Sequence, residues 1–188
     1  MTEEERYKAA LRFATEKHEG QYRKGGEPYV THPIAVSEML KEKGYGIDYQ
    51  IAGLFHDLLE DTDATEAEIE ALGGQQVLEA VKLLTKQKGY VMSEYVAGIK
   101  ANPIAFAVKA ADRLHNLQSA FVASEDFRRR YILESIDWYM DFSPEIPKAV
   151  KALAESLSTP MYGLDLEYHP VEPQEHLHEG GKAVDEKK

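Results

Sequence analysis

Apolar residues recur at helical spacing along the chain up to about residue 158, and most of these runs have recognisable helix starts and stops. Thr2 with Glu5 has the sequence of a capping box, and Asn102 precedes Pro103 at a second clear helix start. The predicted helices cover residues 2–18, 33–44, 48–61, 65–73, 74–86, 93–101, 103–120, 125–142 and 144–157. Because no strand pattern and no internal repeat accompany them, the sequence predicts an all-α, single-domain helical bundle.

From about Thr159 the apolar periodicity is lost, and Pro, Gly and charged residues take its place. Such a composition buries too little apolar surface to offset the entropy lost on ordering the chain. We therefore predict one domain over residues 1–158 and a flexible, mostly disordered polar and acidic tail over residues 159–188.

The predicted helix over residues 48–61 carries four ionisable groups within the stretch GLFHDLLEDT. His56 and Glu60 are four residues apart and share one face, while Asp57 and Asp61 form the neighbouring row. An acidic C-terminus also opposes the helix dipole, which favours cations there. A sequence that departs from these local preferences is expected where function requires it.

The predicted helix over residues 103–120 combines an apolar side with a polar stripe at i, i+3, i+4 and i+7 spacing. The stripe consists of Lys109, Asp112, Arg113 and Asn116. Either stripe alone is more often a solvated face, but the two together are much less expected by chance. If both helices are central, these charges must be paired or must coordinate a metal ion.

A metal ion would use the residues of both helices together. His56 and Asp57 are adjacent and can hold one ion, and Asp112 would approach it from the second helix. His32, in YVTHP just before a helix start, is the best placed further ligand. Imidazole and carboxylate ligands without thiolate suit Mn²⁺, Fe²⁺ or Zn²⁺.

Two other histidines compete with His32 for this role. His18 ends a polar helix and is expected to face solvent. His115 neighbours the polar stripe but lies off its face, which favours a place in the core or beside a metal ligand.

The resemblance to a known family lies in three segments: GQYRKGGEPYVTHPIAV, AGLFHDLLEDT and VKAADRLHNL. They resemble the hydrolase domain of the Rel/Spo alarmone enzymes and of stand-alone small alarmone hydrolases, within the HD superfamily of metal-dependent phosphohydrolases. The resemblance implies an all-α fold and a single Mn²⁺ held by His32, His56, Asp57 and Asp112. The implied reaction removes pyrophosphate from the 3′ position of (p)ppGpp and yields GDP or GTP.

The resemblance also implies roles for side chains around the ion. Glu60 and Asp61 would activate or position the attacking water, in agreement with the ability of carboxylates beside a metal to accept a proton. The predicted substrate-binding residues are Arg23, Lys24, Tyr29, Lys109, Arg113 and Asn116.

The amino-acid composition limits the classes of molecule that the protein is expected to bind. Thirty-three acidic against 22 basic residues give a net charge of -11, which argues against binding to nucleic acid or to a membrane surface. No apolar run is long enough to cross a bilayer, and the acidic start MTEEERYK has no secretory signal. The absence of cysteine excludes disulfides and thiolate metal sites. We expect a cytoplasmic enzyme for a small-molecule nucleotide; the oligomeric state stays open.

Two alternatives stay open. The protein could hydrolyse another nucleotide, such as a mono-, di- or triphosphate or NADPH, or it could be a non-catalytic nucleotide-sensing HD domain. The intact ligand set and the Glu60–Asp61 pair favour an enzyme.

Overall fold

The structure, a computed structural model, describes residues 1–170. These residues form ten α-helices, one 3-10 turn and no strand, apart from an isolated bridge between Tyr22 and Pro28, so the all-α prediction is confirmed. None of the helices in this part of the chain is long and apolar enough to span a bilayer. The elements are α1 (Glu3–Lys17), α2 (Thr31–Glu42), α3 (Ile47–Phe55), α4 (Leu58–Asp61), α5 (Glu66–Gly73), α6 (Gln75–Leu84), α7 (Met92–Lys100), α8 (Pro103–Ser119), the 3-10 turn Ala120–Val122, α9 (Glu125–Trp138) and α10 (Glu145–Glu155).

The predicted helix starts are confirmed where a polar side chain caps them. Thr2 accepts a hydrogen bond from the Glu5 backbone N–H, and Thr65 accepts one from the Glu68 backbone N–H, completing two capping boxes. Asn102 caps α8 in the same way. Each cap satisfies a backbone donor that the helix itself leaves free, which is why these boundaries can be read locally.

The single helix predicted over residues 48–61 is wrong. The structure breaks it at His56 and Asp57, so that α3 ends before them and α4 begins after them. Asp57 has φ -100° and ψ -4°, in the bridge region where turns and many active-site residues lie. The start also differs, since α3 is preceded by Gly46 and Asp48 lies in its first turn.

Helices α3 and α8 form the centre of the bundle. Helix α3 packs against α1, α2, α5, α6 and α8, and α8 also contacts α2, α6, α7 and α10. Ile51, Leu54 and Phe55 of α3 are completely buried, as are Val108 and Leu117 of α8. The polar residues on these two helices are therefore held within the bundle, where they can meet.

Gly53 allows α3 to approach α2 closely. A Cβ atom at this position would lie 3.0 Å from Leu40 Cδ1 and 3.2 Å from the Cα atom of Ser37. Although Ala is the better helix former, Gly53→Ala is therefore expected to destabilise the protein by about 1–3 kcal/mol through overpacking. Urea denaturation would measure the change in the free energy of unfolding.

Gly98 in α7 is a matched control, because its added Cβ would meet only the flexible end of Leu83, at 3.3 Å. Gly98→Ala is expected to be neutral or to stabilise the protein by up to about 1 kcal/mol through helix propensity. Equal effects of the two substitutions would contradict the overpacking at Gly53.

The first part of the predicted tail, residues 159–170, has no helix or strand. Three of its apolar side chains, Met161, Leu164 and Leu166, are partly buried against the core. Arg129 of α9 donates a 2.6 Å hydrogen bond to the Thr159 carbonyl. The remainder of the predicted tail, residues 171–188, lies outside the described residues.

Candidate active site

Four polar side chains converge where the break between α3 and α4 faces the start of α2 and the middle of α8. His32 Nε2 lies 2.9 Å from Asp112 Oδ1 and 3.9 Å from Asp57 Oδ2. His56 Nε2 lies 3.0 Å from Asp57 Oδ2 and 3.5 Å from Asp112 Oδ1. The donor atoms of His32, His56 and Asp57 all lie within 4.8 Å of one another. The structure therefore brings together the four residues that the sequence singled out as ligands.

A backbone carbonyl orients the His56 ring. His56 Nδ1 lies 2.7 Å from the Gly53 carbonyl oxygen, and since a carbonyl can only accept, Nδ1 carries the hydrogen. The ring therefore turns Nε2 toward the carboxylates. Nε2 is buried and makes no hydrogen bond, although Asp57 Oδ2 lies 3.0 Å away. A buried nitrogen without a hydrogen-bond partner is uncommon and fits the role of a metal ligand.

His115 contacts the ring of His32 in the way that the Gly53 carbonyl contacts the ring of His56. The two Nδ1 atoms are 2.8 Å apart, and the rings stack with centroids 5.0 Å apart. Burial, together with the neighbouring His32 and Arg23, lowers the pKa of His115 to about 4, so its neutral ring can accept from His32. The contact places His115 beside His32, one of the four ligand candidates.

The electrostatics of the cluster favour a cation. Burial alone would raise the pKa of Asp112, but Lys109 and the histidines outweigh it and hold that pKa well below its usual range. Burial likewise disfavours the charged form of His56, yet the carboxylates of Asp57 and Asp112 raise its pKa. The buried carboxylate of Asp112 and the partly exposed one of Asp57 face two imidazoles and thus form a nitrogen and oxygen donor set that fits a divalent cation.

Asp112 is held on both sides by the polar stripe of α8. Lys109 Nζ donates to Asp112 Oδ2 at 2.9 Å, and Asn116 Nδ2 donates to Asp112 Oδ1 at 2.8 Å. Arg23 donates to the other amide atom of Asn116, Oδ1, at 3.1 Å. Asn116 therefore links the cluster of His32, His56, Asp57 and Asp112 directly to the loop between α1 and α2.

Glu60 and Asp61 lie on α4, one turn beyond the metal-ligand candidates, and both are exposed. Glu60 Oε1 accepts a hydrogen bond from the Lys86 backbone N–H at 2.5 Å. Desolvation by the surrounding protein, together with the negative charges of Asp57 and Glu60, raises the pKa of Asp61 to about 6. A carboxyl with a pKa near neutrality is suited to proton transfer.

A cavity of about 340 Å³ adjoins Asn116. Arg23, Lys24 and Tyr29 of the loop line one side, and Phe127 and Tyr131 of α9 form an aromatic wall with nearly parallel rings. Lys24 Nζ lies 3.5 Å from the centre of the Phe127 ring. Four of the six predicted substrate-binding residues therefore border this cavity. A larger depression of about 570 Å³, at the starts of α3 and α8, contains none of the predicted site residues.

Arg113 has its contacts on α9. It is 2% exposed, and Nη2 donates to Glu134 Oε1 at 2.6 Å. Its guanidinium lies between the rings of Tyr131 and Tyr139, 4.1 Å from each centroid. Lys109 is likewise occupied by Asp112. A direct substrate contact by Arg113 or Lys109 stays a prediction.

The expectation that His18 faces solvent is wrong. His18 is 2% exposed, and its Nδ1 lies 2.8 Å from Gln21 Oε1. The chain reverses just after α1, at Gly20 with φ +78°, and folds the following loop over the His18 ring. Gln21 donates in turn to the Asp61 carbonyl at 2.7 Å. Sequence reasoning missed Gln21 because its partner is 40 residues away.

The fold and the buried His–Asp cluster define a helical domain of the HD type. Residues 10–143 match the family model described as "HD domain", so the chain belongs to the HD domain family. This confirms the family resemblance carried by the sequence motifs.

Among curated relatives, the chain is 34% identical over 143 residues to the guanosine-3′,5′-bis(diphosphate) 3′-pyrophosphohydrolase of Aquifex aeolicus (strain VF5), covering 72% of this chain and 20% of that one. It is 34% identical over 145 residues to the bifunctional (p)ppGpp synthase/hydrolase SpoT of Escherichia coli (strain K12), covering 71% and 21%. The chain thus spans about a fifth of the length of these relatives.

A solved structure offers a comparison over nearly the whole domain. It is a metazoan orthologue of SpoT that hydrolyses ppGpp, and it superposes with a TM-score of 0.61 at 26% identity. The match covers 79% of this chain and 86% of the other. The similarity is therefore to a protein of comparable extent as well as to one part of larger enzymes.

Proposed function

We propose that this protein is a metal-dependent phosphohydrolase that removes the 3′-pyrophosphate from (p)ppGpp. The observation that carries the proposal is the largely buried cluster of His32, His56, Asp57 and Asp112, which Asn116 links to the neighbouring cavity. The names of the relatives and the activity of the metazoan orthologue support this choice of substrate.

His32, His56, Asp57 and Asp112 would hold one divalent cation. We propose Mn²⁺, because the donors are imidazole and carboxylate without thiolate, with Fe²⁺ or Zn²⁺ as the alternatives. When bound, such a cation lowers the pKa of a coordinated water toward ~7 and stabilises charge on a phosphoryl group.

The acidic pair on α4 supplies the proton transfer. Asp61, with a pKa of about 6, is mostly ionised near neutral pH and accepts a proton from the attacking water. Glu60 is fixed by the Lys86 backbone N–H and helps to orient that water. Attack of the water oxygen at the phosphorus next to the ribose breaks the 3′ oxygen–phosphorus bond and releases pyrophosphate. The proton taken up by Asp61 balances the one that the 3′ oxygen gains as it becomes a hydroxyl.

The cavity suits a nucleotide in size and chemistry. Its volume of about 340 Å³ falls within the usual range for small-molecule sites. Arg23 and Lys24 supply local positive charge for phosphate groups in a protein with a net charge of -11. Phe127 and Tyr131 line the cavity with aromatic side chains, which suit contact with a nucleobase.

A substrate panel tests the proposal. Purified protein with Mn²⁺ would be incubated with ppGpp, pppGpp, NADPH and nucleoside mono-, di- and triphosphates, and the products would be separated by ion-exchange chromatography. We expect GDP and pyrophosphate from ppGpp, and no turnover after chelation of the metal. Turnover of another nucleotide but not of ppGpp would show that the protein is a phosphohydrolase with a different substrate. If the metal-loaded protein turned over none of them, the result would favour the non-catalytic nucleotide-sensing domain.

Arg23→Ala is expected to raise KM for ppGpp about tenfold with little change in kcat, because a hydrogen bond to a charged group contributes about 1.5–3 kcal/mol. Steady-state kinetics at saturating Mn²⁺ would measure both constants. Arg12→Ala, which removes an exposed arginine from α1, is the matched control. A fall in kcat at unchanged KM would show that Arg23 acts on the chemical step.

A further inference from the structure

The hydroxyl of Tyr29 contacts the ligand cluster itself. It donates a 2.5 Å hydrogen bond to Asp57 Oδ2, since an ionised carboxylate can only accept. The same oxygen lies 3.0 Å from His56 Nε2 and is therefore the carboxylate atom that faces the proposed ion. A carboxylate oxygen has lone pairs enough to accept from Tyr29 and still bind a cation.

The Tyr29 ring is fixed on two sides. It packs at a tilt against His18, with centroids 4.9 Å apart, and edge-to-face against His32, with centroids 6.0 Å apart. The Tyr29 backbone N–H donates to the Gln21 carbonyl at 2.8 Å. Because His18 is itself buried and bonded to the Gln21 side chain, the loop holds the phenol in one place.

We propose that Tyr29 is a positioning residue for the metal ligand Asp57, and that His18 acts behind it by fixing the Tyr29 ring. The proposal rests on the proposed metal site and assigns Tyr29 a role different from a contact with the nucleotide. Asp57 lies in the break between two helices, so no regular helical turn holds its side chain. A single hydrogen bond from a fixed ring would therefore select the carboxylate rotamer that faces the ion.

The two roles of Tyr29 predict different kinetics. If Tyr29 positions Asp57, the substitution Tyr29→Phe lowers the affinity of the protein for Mn²⁺. Excess Mn²⁺ should then restore kcat and KM of the variant to nearly their wild-type values. A nucleotide contact to which the hydroxyl donates would first have to break the bond to Asp57, and the loss of any nucleotide contact would raise KM at every Mn²⁺ concentration.

The test is the affinity of Tyr29→Phe for Mn²⁺, measured without nucleotide by competition with a metallochromic chelator. The variant keeps the ring and its packing but removes the hydroxyl. We expect the Kd for Mn²⁺ to rise about 10–100-fold, as for other groups that orient metal ligands. Tyr22→Phe is the control, because Tyr22 is in the same loop and is 68% exposed. Thermal unfolding of both variants in excess Mn²⁺ would verify that they are folded.

Equal Mn²⁺ affinities of Tyr29→Phe and the wild-type protein would overturn the inference and leave the proposed function standing. A KM that stays raised at saturating Mn²⁺, with unchanged metal affinity, would assign Tyr29 to the nucleotide instead. Failure of the wild-type protein itself to bind Mn²⁺ would overturn the proposed function, and the inference with it.

Discussion

Under the proposed function, Asp57→Asn is expected to abolish metal binding and to lower the rate of (p)ppGpp hydrolysis by about 10³-fold or more. A cation that acts as a Lewis acid stabilises the transition state by several kcal/mol, and each 1.36 kcal/mol is a factor of ten in rate. The amide keeps the shape of the carboxyl group but loses its charge, so the Asp112 carboxylate alone would balance the ion. Asparagine can still accept the hydrogen bond from Tyr29, so the packing around residue 57 should persist.

Two measurements on the same preparation would check this expectation. Metal content after dialysis gives the loss of the ion, and the release of pyrophosphate from ppGpp gives the rate. Asp137→Asn on α9 removes an exposed carboxylate outside the cluster and should leave both unchanged. If the Asp57 variant retained a full equivalent of metal and wild-type turnover, Asp57 would not be a ligand.

Arg113→Ala is expected to lower the free energy of unfolding by about 3 kcal/mol. The substitution leaves a cavity between the Tyr131 and Tyr139 rings, and it removes two cation–π contacts and the hydrogen bond to Glu134. Glu134 is half-buried, so the loss of its partner adds less than it would in a dry core. Most of the effect should therefore come from packing.

Urea denaturation of a pair of variants separates packing from charge. Arg113→Met keeps much of the side-chain volume and should lose about half as much stability as Arg113→Ala. Arg130→Ala, an exposed arginine of α9, should lie within about 0.5 kcal/mol of the wild-type protein. A raised KM for ppGpp with unchanged stability would show instead that Arg113 binds substrate, as the sequence predicted.

Much of the fold could be predicted from the sequence because helix boundaries depend on residues close together in the chain. The Thr2–Glu5 and Thr65–Glu68 caps bridge only three residues, and apolar spacing marks the buried side of each helix. The break at Asp57 escaped this reasoning. The residues that follow it, Leu58, Leu59 and Glu60, are good helix formers, so local propensity does not predict the turn that the structure shows at Asp57.

The sequence by itself determined the all-α architecture, the helix caps and the chemical types of the candidate ligands. Only the tertiary structure decided which of them meet: His32 and Asp112 are 80 residues apart, and Arg23 and Asn116 are 93 apart. It also buried His18 and directed the Tyr29 hydroxyl to Asp57. The physical reason is the distance along the chain over which each interaction acts. Periodicity and capping act within a few residues, whereas the orientation of a side chain in a site depends on how central helices pack together.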